Sequence, residues 1–294
     1  MGTFLVIGIV SGVIYGLTAL GLVLVYKGSR VFNFAQAEFA AISMYTIYYL
    51  TEVRHLPYGI ALIAALLAGV VMALLTERLV VRPLKNAPRS IALVGTAGVA
   101  LLAIGLELVV FKPEPRAVGP AISGNGPQIF GYIVSNQKLL SLVALIVIAV
   151  SAALFFKKTY LGTAILANSQ DAFATRIIGA STNRISVITW GLAGLLGAIA
   201  GALIAPDVTF FPSFMTATIL IPAFTAGIVG GMTSLGGALV GGQIIGIVEG
   251  LGQYMLVQNP GLSRAIPEGT TALVFVVLLV MLLIRPKGIF GSEA

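Results

Sequence analysis

The sequence predicts an all-α polytopic membrane protein with about eight or nine transmembrane helices and a short cytoplasmic helix. Three observations lead there. Hydrophobic residues fill 58% of the 294 positions and charged ones only 9%, whereas a soluble domain carries roughly 25% charged residues. Mean hydropathy is +1.05. The apolar residues also fall into runs close to the about 20 that a helix needs to cross a bilayer.

The first run is Phe4–Tyr26. It is long enough to span, and Met1–Thr3 lacks a basic n-region, so a cleavable signal peptide is not expected. Phe34–Leu50 follows; it is short and begins with Gln36 and Glu38 just after Asn33. Tyr58–Thr76, Ile91–Phe111, Leu139–Phe156 and Ile185–Ala205 are clear spans. Met215–Gly231 is short and holds Pro222, and only Met232–Leu235 separates it from Gly236–Leu256, so one of these two is a candidate re-entrant segment. Thr270–Ile284 is the last. The connection 112–138, rich in Pro and Gly, reads as an external loop of turns. Residues 1–294 read as one transmembrane domain.

Lys and Arg set the orientation. With Glu77–Ser90 placed in the cytoplasm, Arg54, Lys112, Arg116, Lys138 and Arg264 fall outside and the other 12 of the 17 basic residues inside. The C-terminus is then cytoplasmic and the N-terminus external. A net charge of +7 would suit nucleic acid, but the basic residues stand at the ends of apolar runs, where topology signals lie. The reading is therefore a membrane-lipid environment and no nucleic-acid partner.

Within Lys157–Arg184, "NSQDAFATRIIG" reads as a helix over about 168–178. Asn168 is a suitable N-cap and Asp171 sits in the first turn, where the helix dipole favours a negative charge. Phe173, Ala174, Ile177 and Ile178 make one apolar stripe, with Asp171 and Thr175 off it. Gly179 is placed to end the helix in a left-handed conformation. So short a helix is unstable alone and must pack on something, either the membrane surface or a cytoplasmic partner.

Four sets of glycines recur at four-residue spacing: Gly8/Gly12/Gly16, Gly197/Gly201, Gly237/Gly241 and Gly242/Gly246/Gly250. Each leaves a smooth strip on which another helix backbone can approach closely. Glu38, Glu107 and Glu249 fall in apolar segments, where a charge costs roughly 2.5–3.5 kcal/mol at the bilayer centre. Glu249 and Gln243, deepest in their span, read as interhelical hydrogen-bonding groups or as lining of a pathway. Cysteine is absent, and the lone histidine, His55, reads as a surface residue. No nucleotide loop, zinc-ligand spacing or nucleophile–base pattern stands out, so neither a catalytic residue, a metal nor a cofactor is assigned and ATP hydrolysis by this chain is not expected.

Four stretches carry a family resemblance: "GLTALGLVLVYKGSRVFNFAQAEFA", "VVRPLKNAPR", "GTAILANSQDAFATRIIGASTNRISVITWGLAGLLGAIAGAL" and "RPKGIFG". In that order, nearly end to end, the sequence resembles the permease subunits of branched-chain amino acid ABC importers. It departs from the common pattern at Leu166, where arginine is usual, at Ala37, often glycine, and at Gln36, where many members carry histidine. Relatives in that family also serve urea, short amides and small organic acids. The resemblance implies a bacterial or archaeal cytoplasmic membrane and a non-enzymatic transport subunit. It implies two ATP-binding ABC subunits, a homologous second permease forming a heterodimer, and an extracytoplasmic substrate-binding protein. Asp171, Phe173, Ala174, Ile177, Ile178 and Gly179 would form the coupling helix, docking in the ATPase cleft. Asn33, Gln36, Glu38, Gln243 and Glu249 would be candidates for the pathway. By helical spacing Asn33, Gln36 and Ala40 share one face, with Glu38, Ala41 and Tyr45 on another. Asn33 is also placed to cap the helix, and Gln36 or Glu38 either borders the route or holds the break between helices. The competing reading is an ion- or proton-coupled secondary transporter or channel using the intramembrane carboxylates.

Overall fold

The first apolar run becomes the centre of the molecule. A computed structural model describes residues 1–129, 131–177, 179 and 181–291. Helix α1 (Gly2–Ser29) is apolar all round, and every residue from Val13 to Val25 is buried. A helix of that pattern must be enclosed by others. The chain continues through α2 (Gln36–Tyr48), α3 (Tyr58–Thr76), α4 (Arg89–Phe111), β1 (Asn125–Ile129), β2 (Tyr132–Ser135), α5 (Asn136–Lys158) and α6 (Tyr160–Gln170). Then come α7 (Ala172–Ile177), α8 (Thr182–Ile204), α9 (Ile221–Gly230), α10 (Leu235–Gln258), α11 (Pro260–Ala265) and α12 (Gly269–Ile284). Among the described residues six helices are long and apolar enough to cross a membrane, and Thr216–Gly230 and Gly269–Ile284 are shorter apolar ones. With α2 they account for the nine predicted segments. The fold is that of an all-α, multi-pass membrane protein.

The glycine ladders pair as their spacing requires. Gly8, Gly12 and Gly16 of α1 meet Gly246, Gly242 and Leu239 of α10, and Gly250 lies on Phe4, so the two helices cross antiparallel with backbone on backbone. Gly21 and Gly28, seven residues apart, occupy the opposite face of α1 at 100° per residue. There they admit Gln36 of α2 and Thr189 of α8. Gly197 and Gly201 of α8 receive Phe39 and Ala40 of α2, and Gly237 and Gly241 of α10 receive Gly230 and Ala226 of α9. Helix α2 is thus sheathed by α1, α3 and α8, with all but Ile42, Thr46 and Tyr48 buried. Its polar start is tolerable because it never meets lipid.

The structure differs from expectation in two connections. The segment 112–138 is not turns alone: β1 and β2 pair antiparallel, and α5 begins at Asn136. Val134 is fully buried, but the neighbouring glycines and prolines masked so short an alternation in the sequence. The Arg116 and Phe210 backbones also exchange two hydrogen bonds, 2.8 and 2.9 Å, pinning this connection to the chain after α8.

The second difference is the helix expected over about 168–178, which is two helices. Thr159 caps α6, its Oγ1 accepting from Gly162 N–H at 3.0 Å, and the helix runs through Asn168 to Gln170. Asn168 therefore is not the N-cap. That place belongs to Asp171, in extended conformation (φ −144°, ψ 105°), whose Oδ1 accepts from Phe173 N–H at 2.8 Å. Gly179 has the left-handed φ of 87° that was expected of it. Ile178 lies outside the described residues.

Candidate functional site

The polar segment between α1 and α2 is a joint between helices. Arg30 ends α1 in the left-handed region (φ 57°, ψ 24°) with its N–H on Tyr26 O at 2.8 Å. The chain then leaves helical geometry, and backbone freed at membrane depth needs partners. Thr96 of α4 provides them. Its Oγ1 accepts from Phe34 N–H at 3.2 Å, and its proton lies between the Phe32 and Leu93 carbonyls at 3.1 and 2.9 Å. Asn33 Oδ1 accepts from Ala35 N–H at 3.0 Å, the turn that starts α2, while its Nδ2 donates to Gln36 Oε1 at 3.1 Å. Gln36 Nε2 in turn donates to Ala193 O of α8 at 3.0 Å. Asn33 and Gln36 are fully buried, and one chain of amide hydrogen bonds ties the joint after α1 to α2 and α8.

Glu38 takes the other face of α2, as the period requires. Its Oε1 accepts from Thr216 Oγ1, just before α9, and its carboxyl lies beside Glu107 of α4. The Glu38 and Glu107 carboxyls stand within hydrogen-bonding reach of one another, and the Tyr45 hydroxyl beside them is buried without a hydrogen-bond partner among the described residues. Glu249 and Gln243 sit elsewhere, on the α1–α10 crossing. Tyr15 Oη donates to Glu249 Oε2 at 2.5 Å, and the Gln243 amide packs over Gly12. The five candidate polar residues therefore form three separate groups. No cluster of three or more His, Cys, Asp or Glu side chains that could hold a metal occurs among the described residues.

The second site is α7. Phe173 and Ile177 are 67% and 71% exposed, whereas Thr175 is 2% exposed and its hydroxyl donates to Asp171 O at 2.7 Å. The helix thus turns its polar threonine inward and its large apolar side chains outward. The helix α6 beneath it is fastened to the end of α1. Asn168 Nδ2 donates to Gly28 O at 3.0 Å, and the Arg30 guanidinium donates to Ser169 O. Trp190 of α8 adds Nε1–H to Ser29 Oγ at 3.4 Å.

The sequence reading missed Thr96, Ser169, Thr216 and Glu77. Glu77 reads as the first residue of a loop, but it is buried, takes Arg82 at 3.0 Å and accepts from Ser186 Oγ at 3.1 Å. A signal was present in the acid–base pair five residues apart at the end of a span, which suits a wide π-turn. Thr96 carried no signal, because its partners are 62 and 64 residues away.

This arrangement, a bundle threaded by close glycine crossings and broken by a polar joint, is that of a membrane transport subunit. The family described as "Branched-chain amino acid transport system / permease component" matches residues 4–284, and the chain belongs to it. It is 26% identical to the high-affinity branched-chain amino acid transport system permease protein BraD of Pseudomonas aeruginosa, over 98% of this chain and 94% of that one. It is 28% identical to the probable branched-chain amino acid transport permease protein LivH of Methanocaldococcus jannaschii, over 94% and 88%. Its fold is similar to the solved structure titled "PsaBC from Streptococcus pneumoniae in complex with Fab", with a TM-score of 0.54 and 15% identity, covering 97% of this chain and 91% of that one.

Proposed function

We propose that the chain forms half of the translocation pathway of an ATP-driven importer for branched-chain amino acids or a related small polar solute. In this reading α7 docks on an ATP-binding subunit, a second, homologous permease completes the pathway, and a substrate-binding protein delivers solute from outside the cytoplasmic membrane. The C-terminus, α7 and the basic loops lie on the cytoplasmic side. All ATP chemistry belongs to the partners.

The observation that carries the reading is the outward apolar face of α7, Phe173 and Ile177, directly after α6, whose end is fastened to the α1–α2 break. Two large apolar side chains projecting from a six-residue helix fit a knob-in-groove contact. A push on α7 reaches α1 through Asn168 and Ser169, and reaches α2 and α8 through Asn33 and Gln36. Gln36 and Asn33 then hold the break, and the shift of the helices around it opens or closes the path.

The test is affinity purification of the tagged chain from its own membranes, comparing wild type with Phe173→Asp/Ile177→Asp. ATPase subunits should accompany wild type and be lost from the variant. Wild type recovered alone, with uptake untouched in the variant, would refute the reading. That result would favour a secondary transporter, for which the buried, neighbouring carboxyls of Glu38 and Glu107 would be the ion site.

A further inference from the structure

Helix α4 is anchored to the α1–α2 joint and to α2 at two well-separated points. Thr96 holds the Phe32–Phe34 backbone at one end, and the Phe111 ring stacks on Tyr45 of α2 at 4.4 Å at the other. Those anchors are 15 residues apart, about 22 Å of helix. Between them α3 and α4 hardly meet, and a cleft of about 550 Å³ remains. Val71, Leu75 and Leu79 line it from α3 and its continuation, and Leu102, Leu106 and Val110 from α4, all of them exposed. Only Tyr45, Thr76 and Glu107 among the lining residues carry a polar side-chain group. The Thr76 hydroxyl is already bonded to Met72 O at 2.8 Å, and Glu107 sits at the far end beside Glu38.

We propose that this cleft holds one acyl chain of an anionic glycerophospholipid, whose phosphate is received by Arg78, with Lys85 and Arg89 around it. Length points to a lipid tail. From Ala68 of α3 to Leu79 of its continuation the chain advances eleven positions, giving the cleft a length of about 17 Å. That matches the about 15 Å of hydrocarbon in one leaflet, so an extended acyl chain fits the cleft from end to end.

Charge fixes the headgroup. Arg78 precedes the cleft-lining Leu79 in the wide turn Glu77–Val81, at the end of the apolar strip of Val71 and Leu75. Arg89 is the first residue of α4, at the end where the turn from α3 enters it. Arg78, Lys85 and Arg89 are exposed and have no ion pair among the described residues, while the nearby Arg82 is occupied by Glu77. Basic clusters between helices at one membrane face attract anionic headgroups, each cation contributing about fivefold in affinity. The bound chain wedges α4 upright between its two anchors.

The experiment is native mass spectrometry of the full-length chain offered equal amounts of palmitoyl-oleoyl phosphatidylglycerol and phosphatidylcholine. Wild type should retain one phosphatidylglycerol in preference. Val71→Trp/Leu102→Trp, which fills the cleft, should lose it. Arg78→Ala/Lys85→Ala/Arg89→Ala should still bind lipid but with the preference reduced at least about fivefold. Equal binding of the two lipids by wild type would overturn the proposal, as would phosphatidylglycerol retained undiminished with the cleft filled. Should the tryptophan variant fail to fold, the surface charge variant decides, and an unchanged lipid ratio there refutes the site.

Discussion

Replacing Gly246 by alanine tests the crossing on which the bundle is built. A Cβ at that position would meet the Gly8 carbonyl and stand 2.6 Å from Gly12 Cα, backbone that cannot turn away. Carbon atoms in contact want about 3.5–4.0 Å, so α1 and α10 would have to part by about 1 Å. The loss would spread along the ladder, because Gly8, Gly12, Gly242 and Gly250 share the same approach. Overpacking of this kind costs about 1–3 kcal/mol. Gly98 of α4 provides the control, since a Cβ there meets nothing within 4 Å. The same substitution at Gly98 should be neutral or stabilising by up to about 1 kcal/mol, alanine being the better helix former. The expected gap between Gly246→Ala and Gly98→Ala is therefore roughly 1–4 kcal/mol. The protein carries its own reporter, because Trp190 is the single tryptophan and is fully buried against Phe39. Its emission should shift to the red at lower temperature or denaturant in Gly246→Ala than in Gly98→Ala. Coincident transitions for the two would refute the claim that this glycine strip holds α1 to α10.

Two further outcomes follow from the joint. Gln36→Leu removes a side chain that serves both Asn33 and the Ala193 carbonyl, leaving two buried polar groups at about 1–3 kcal/mol each. The Trp190 transition should fall accordingly, and an unchanged transition together with full uptake would contradict its place in the joint. Asn168→Ala removes one neutral hydrogen bond, worth about 0.5–1.5 kcal/mol, between α6 and the end of α1. In the proposed importer it should leave ATPase subunits bound and lower the solute moved per ATP, whereas unaltered coupling would remove that link from the proposed transmission route.

The spans were legible because composition and run length alone demand them. Tyr58–Thr76 ends where the sequence places it, and the glycine spacings announced close helix crossings that the structure supplies with partners. What the sequence could not state is which ladder meets which, since Gly8 and Gly246 are 238 residues apart and each spacing fits any smooth partner. The cap of α7 went to Asp171 rather than Asn168 for a similar reason. Both residues cap well, but the Asn168 amide is engaged by Gly28 on a distant helix. The hydrogen bonds around Glu38 were equally hidden, because Thr216 comes from a separate segment. The faces of α2 and α7 were readable, since helical period alone puts Glu38 with Tyr45 and Phe173 with Ile177.

The proposed importer is tested most directly by uptake of labelled leucine into vesicles holding this chain together with its co-purified subunits and binding protein, with and without ATP and an uncoupler. Uptake that requires ATP, persists with the uncoupler and vanishes in Phe173→Asp/Ile177→Asp is the predicted result. Uptake by the chain alone, independent of ATP and abolished by the uncoupler, would contradict it.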